Sequence, residues 1–292
     1  MKRILPPILA AGMLLGMLSG CGASTSSSGS SSGEPALEKG SITIQYSTWA
    51  NDGEAAYEGM EKFKELVEAG SDGVIEVVLY PANQAGSTNE QVEQVSMNQL
   101  QMMSSGDPGI IELEYLCLPY LFDSLDNYSE FMATELGQSY IQKGVDERNT
   151  LILDTLPRSP RIISSNIAIN KLADMKGMKI RSPEKDYYVE TFKAFGANPT
   201  PMDLGECYSA MQTGVVEGQE NPIETIVSYG FQNVNDYLVM SNHMIKPAFV
   251  IINNEFFNGL SDEYKTLITE SCTAARDYAV EYMEEAMAKD LQ

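Results

Sequence analysis

The feature that most limits the folds open to this chain is an alternation of two hydrophobic periods from residue 41 onward. "SITIQYST" (41–48) alternates apolar and polar residues as a half-buried strand does, and "GVIEVVLYP" (73–81) is a second strand-like run. Between them, "AAYEGMEKFKELVEA" (55–69) sets Met60, Phe63 and Val67 on one helical face. "STNEQVEQVSMNQL" (87–100) opens with Ser87 and Glu90 at the spacing of a capping box, then carries Val92 and Val95 along a helix. A helix is expected near 127–143, followed by a strand at "LILDT" (151–155). "RIISSNIAI" (161–169), "MKIR" (178–181), "YLVM" (237–240) and "AFVIIN" (248–253) read as further strands. Ser182 and Pro183 have the chemistry of an N-cap and first helical residue, opening a helix to Gly196. Asp203 and Glu206 cap another, with Gly214 just past its end. From Ser261 one helical pattern runs to Gln292. Alternating strands and helices specify an α/β protein, and 292 residues suffice for two lobes.

The first 21 residues differ in kind. "MKRILPPILAAGMLLGMLSGC" has a basic start, an apolar stretch and small residues at its end, which is the pattern of a secretory signal. Its apolar part is too short and wrongly flanked for a membrane span. The ending "LSGC" resembles a bacterial lipobox, which implies cleavage before Cys21 and a lipid on that cysteine. The Gly/Ser-rich stretch that follows to residue 40 is a flexible tether of roughly 25 Å.

Charge narrows the partners. Forty-one acidic residues against 19 basic give a formal net charge of −22, which argues against nucleic acid. Of the few arginines, Arg158, Arg161 and Arg181 cluster in sequence, either as an anion site or as ordinary surface ion pairs. Cys117, Cys207 and Cys272 lie far apart without metal-ligand spacing, and read as small buried hydrophobes, with one disulfide left open. No G-x-S-x-G, H-E-x-x-H or Walker loop occurs. The single histidine, His243, reads as a structural residue at a strand end. Binding without reaction, and without a cofactor, is the expectation.

Two features point to what is bound. Arg181 ends a strand, and its planar fork of donors matches a carboxylate, although a pair with an acid such as Glu184 would serve as well. "TGVVEGQENP" (213–222) carries more polar groups than a buried strand has use for. With its surroundings, "ADMKGMKIRSPEKDYYVETFKAFGANPTPMDLGECYSAMQTGVVEGQENP" (173–222) resembles the solute-binding subunit of TRAP transporters, the DctP family. The strand ending in Ile-Arg, "GANPTPM" and the Q-T-G-V-x-x-G-Q-E-N-P run stand almost intact. Weaker similarity, including "LYPANQAGS" and "LPYLF", covers Ser41 to about Glu285, and the family's tail is cut short at Gln292.

The resemblance implies a two-lobe periplasmic-binding-protein-like fold with a cleft between lobes and a long C-terminal helix bridging them. It implies that Arg181 clamps the ligand carboxylate and that Asn221 hydrogen-bonds the same group. Arg161 aligns with a second arginine of the sialic-acid-binding members, and Arg158 stands near enough to substitute for it. Trp49, expected to line the cleft and pack on the ligand's body, occupies a position where those members have asparagine, and Leu204, also placed in the ligand site, one where they have phenylalanine. An acidic ligand-contacting position falls in a gapped region around Ser104–Asp107. These departures argue against sialic acid and for an organic acid with an apolar or aromatic body. The expected organisation is a lipoprotein signal peptide at 1–20, a tether at 21–40, one lobe from 41–158 and 247–280, and a second from 159–246 and 281–292. The implied partners are a small organic acid, the TRAP membrane subunits and the membrane through the lipid, with the protein extracytoplasmic and monomeric. A binding module for a sensor or another transporter is the alternative. A lipid-anchored hydrolase is the other, and would need His243 beside an acid and a nucleophile.

Overall fold

Among the described residues the apolar runs become ten strands in two sheets of five. The structure, a computed structural model, describes residues 37–290, so the signal segment and Cys21 lie outside the described residues. In chain order the strands are β1 (Ile42–Thr48), β2 (Ile75–Tyr80), β3 (Met102–Ser105), β4 (Thr150–Leu156), β5 (Arg161–Ser165), β6 (Lys179–Ser182), β7 (Asn198–Pro201), β8 (Gly218–Asn221), β9 (Tyr237–Met244) and β10 (Ala248–Asn253). The first sheet has the order β2-β1-β3-β10-β4 and the second β7-β6-β8-β5-β9. Both follow one plan: three parallel strands, then one antiparallel to both its neighbours. The fourth strand of each sheet comes from across the divide, so the chain passes between sheets at 157–160 and returns at 245–247.

Strand β10 shows why "AFVIIN" reads as a continuous apolar run. It is paired on both edges and covered on both faces. Ala248, Val250 and Ile252 join the cluster around Ile44, Met60 and Phe63, whereas Phe249 and Ile251 join Val95, Met103 and Tyr128. The C-terminal helix, Asp262–Asp290, packs against the helix Ala55–Gly70 and β4, and also reaches the helix Ile223–Ser228, which follows β8. Its inward face is Ile268, Cys272, Ala275 and Ala279, at helical spacing. Gly59 makes the close approach of the two helices feasible, because a methyl there would lie 2.8 Å from Leu156 Cδ2 and 3.2 Å from Ala279 Cβ.

Three local expectations are corrected. The helix near 127–143 is two helices, Leu125–Met132 and Glu135–Arg148, because Thr134 caps the second by accepting from Gly137 N. β5 stops at Ser165, whose hydroxyl donates to Ile167 O and turns the chain. Ser182 and Pro183 start no helix: Ser182 stays in the β6 ladder, its carbonyl accepting from Met202 N, and the helix begins at Asp186. The Ser87–Glu90 capping box is present, as its spacing predicts. Cys117, Cys207 and Cys272 are buried and free. Among the described residues no helix is long and apolar enough to cross a membrane.

Candidate functional site

Loops at the strand ends of both sheets face one cavity of about 80 Å³. The first sheet contributes Trp49, directly after β1, and the turn Ser105–Gly106–Asp107 after β3. From the second come Arg161 at the start of β5, Arg181 on β6, Asn221 at the end of β8, and Leu204 in the single turn after Asp203. Arg158 and Lys246 stand on the two crossing segments and line the same space. This placement at strand ends is where open α/β sheets present ligands.

Arg181 is 4% exposed and donates from Nε and Nη2 to Met202 O, at 3.0 and 2.8 Å. That one carbonyl orients the fork. Among the described residues Arg181 forms no ion pair, with Glu184 or any other acid, and Nη1 has no protein acceptor. Arg161 is different. Its Nε and Nη2 grip both oxygens of Glu220, at 2.5 and 2.8 Å, and Nη2 also reaches Glu220 O and Asn221 Oδ1. Burial alone would raise the Glu220 carboxyl, but the Arg161 charge and the hydrogen bonds from Arg161, with the His243 ring close by, hold it at about 2. His243 Nε2 lies 3.4 Å from Glu220 Oε2, and Nδ1 lies 2.9 Å from Ser241 Oγ, so this histidine belongs to the wall behind the cavity.

Asn221 is held from both ends, its carbonyl by Arg161 and its amide nitrogen by Gln219 Oε1 at 2.6 Å. Gly218, three residues earlier, allows this strand to lie against β5, since a methyl there would sit 2.5 Å from Ser164 O. The polar string thus satisfies a buried network on one side and faces the cavity at Asn221. Leu204 is 8% exposed and supplies apolar wall. Trp49 lines the cavity but presents little open ring: Arg158 lies over it at 4.4 Å, and its remaining surface belongs to the main hydrophobic cluster. The expected aromatic shelf for a ligand is therefore covered by a guanidinium.

Asp107 and Lys246 form a second buried pair across the cavity. Lys246 Nζ donates to Asp107 Oδ1, Tyr187 Oη and Tyr188 Oη, and Tyr187 Oη donates to Asp107. Burial opposes ionisation of Asp107, but the ammonium and these hydrogen bonds prevail and bring its carboxyl to about 2. Sequence reasoning placed an acid near Ser104–Asp107 without choosing one, and missed Lys246. The signal for Lys246 is a lysine inside the otherwise apolar run "MIKPAFVII". Among the described residues no group of His, Cys, Asp and Glu is arranged to hold a metal ion.

Two mixed sheets joined by paired crossings, with a cation-rich cleft lined from both, define a two-lobed solute-binding protein. The chain belongs to the DctP family of bacterial extracellular solute-binding proteins, family 7, which it matches over residues 46–292. It is 30% identical to the sialic acid-binding periplasmic protein SiaP of Vibrio cholerae, over 81% of this chain and 75% of that protein. It is also 30% identical to the ectoine-binding periplasmic protein TeaA of Halomonas elongata, over 88% of this chain and 78% of that protein. A TRAP periplasmic solute-binding protein of Roseobacter denitrificans, solved with bound L-galactonate, superposes with a TM-score of 0.82 at 26% identity, covering 87% of this chain and 85% of the other. The protein is accordingly an extracytoplasmic solute receptor of the TRAP type.

Proposed function

We propose that this receptor captures a small organic carboxylate and hands it to TRAP membrane subunits, with Arg181 as the principal carboxylate contact. One observation carries the assignment: a buried arginine, oriented by a backbone carbonyl and unpaired by any acid, turned to a cavity at the strand ends of two lobes. A guanidinium so placed is completed by a carboxylate. Asn221 adds a hydrogen bond, Arg161 fixes Asn221, and Leu204 shapes the wall. Trp49 acts by seating Arg158. Relatives binding sialic acid, ectoine and L-galactonate all take compact polar solutes with a carboxylate, which supports the class and leaves the particular compound to experiment. The lobes are assigned as 41–158 with 247–280, and 159–246 with 281–292; the ligand bridges them and favours the closed form.

The same proposal includes a signal peptide at 1–20, a lipid on Cys21 and a monomeric receptor tethered through 21–40. A thermal-shift screen against organic acids tests ligand capture, since a ligand at 100 times its dissociation constant adds about 2.7 kcal/mol. If no carboxylate raises the melting temperature, the assignment is wrong. Cys21→Ala is expected to release the protein from the membrane fraction, and retention there removes the anchor.

A further inference from the structure

One stretch of the chain leaves the core of the first half of the molecule, touches the second half and returns. Ile110 and Leu113 pack in the cluster that holds Met103, Phe249 and Ile251 of the first sheet, and Phe122 packs there again. Between them, Cys117 is fully buried in a different cluster, with Tyr187, Tyr188 and Met244. Those partners stand on the helix Asp186–Ala194, which packs on β6 and β7, and on β9. "EYLCLPYL" (114–121) is thus rooted at both ends in one half and seated at its middle on the other.

Few contacts hold it there. Lys185 Nζ donates to Glu114 Oε1 at 2.8 Å, and among the described residues neither forms another ion pair. Tyr115 meets Tyr187 edge-on, with ring centroids 6.4 Å apart, and Tyr120 N donates to His243 O at 2.9 Å. The outer side chains Tyr115, Leu118, Tyr120 and Leu121 stay exposed. A segment with so little buried apolar surface belongs to the part of a protein that opens first. Tyr120 also has a φ of 58°, in the left-handed region that a bulky residue adopts only under constraint, so the seated backbone is strained where it meets β9.

Glu114 ties this segment to the cleft. It is 5% exposed, and its counter-charge comes from the other half. A buried carboxylate without its cation is unfavourable, so Glu114 can stay buried only while Lys185 is within reach. Lys185 and Tyr188 line the cavity as well, so the segment bears on the cavity wall from behind.

We propose that 114–121 is a strap that lifts from the second half when the cleft opens, with the Glu114–Lys185 pair as the catch that holds it down. Cys117 is its knob, sealed while the strap is seated and exposed once it lifts. The device is independent of the chemistry of the solute.

Thiol labelling of the full-length native protein with N-ethylmaleimide, in the absence of solute, tests the strap, each cysteine being followed by peptide mass spectrometry. Cys207 and Cys272 are buried in the main core and report global unfolding. Cys117 is expected to label faster than both. Glu114→Gln keeps the shape of the side chain, removes its charge, and should raise the Cys117 rate about fivefold or more, with Cys207 and Cys272 unchanged. Glu114→Lys should raise it further, and adding Lys185→Glu should bring it back toward the parent rate. Acrylamide quenching of Trp49, buried on the cavity wall, should rise together with Cys117 labelling in Glu114→Lys. Cys117 labelling in step with Cys207 and Cys272, in the parent and in Glu114→Gln, makes 114–121 a fixed part of the second half and overturns the strap. An unchanged Cys117 rate in Glu114→Gln overturns the catch, and a rise at all three cysteines together makes the pair a general stabiliser and overturns it too. Faster Cys117 labelling with Trp49 quenching unchanged makes the segment a local flap and overturns its tie to the cleft. No solute enters these measurements, so each outcome leaves carboxylate capture standing.

Discussion

Arg161 and Arg181 are equally buried arginines on strands of the same sheet, yet their surroundings are opposite. Arg161 is closed within the protein: both oxygens of Glu220, a backbone carbonyl and Asn221 consume its donors. Arg181 is held by a single carbonyl and keeps an edge toward the cavity. Burial alone therefore does not mark a ligand contact. What separates them is whether the protein itself supplies the counter-charge.

The largest effect expected from breaking this contrast is on the closed side. Glu220→Gln leaves Arg161 buried without its counter-charge and should cost about 3–5 kcal/mol of stability, measured as a lower urea midpoint at unchanged slope. The pH dependence has a definite sign. The Glu220 carboxyl titrates near 4.5 when unfolded and at about 2 when folded. Its stabilisation is thus fully present above about pH 4.5 and is lost as pH falls toward 2. Asp107 behaves alike, so the stability lost on acidification should shrink, not vanish, in Glu220→Gln. An unchanged acid profile would show that Glu220 is not the compensating group.

On the open side, Arg181→Lys should lose about 2–5 kcal/mol of binding with little change in stability, because an ammonium cannot present the fork. Calorimetry finding near-parental affinity would move the carboxylate elsewhere. Asn221→Ala belongs to both sides, and should lose about 1.5–3 kcal/mol of binding while also disturbing Arg161. The smallest effect is expected for Trp49→Phe, about 0.5–2 kcal/mol through a weaker seat for Arg158. Alanine is unsuitable there, since Trp49 is built into the main core. Saturating ligand should shift the emission of this single tryptophan in the parent.

Fold class was legible because strand and helix periods differ, and the capping box at Ser87 was legible because a side-chain spacing defines it. Ser182 and Pro183 misled because an N-cap serine and a strand-end serine are chemically alike; the ladder to β7, which sequence does not display, decides between them. Arg181, Asn221 and Arg161 were visible through the family pattern. Their division into open and closed was not, since it depends on the Glu220 pairing across β5 and β8. Lys246 and Asp107 sit 139 positions apart in sequence, so only the folded chain brings them together.

The two crossings at 157–160 and 245–247 lie next to one another, because Leu156 pairs with Ala248 and Arg161 with Met244. In the proposed closure they would serve as a two-ply hinge, and Pro157, Pro160 and Pro247 freeze three of its φ angles. Flexion then falls on the few remaining torsions, including those of Arg158 and Lys246 themselves. Two residues that line the cleft are thus built into the segments about which the proposed closure would turn. In the proposed function, release of the solute and opening of the lobes are therefore expected to be coupled, so a substitution in these segments that slows one should slow the other.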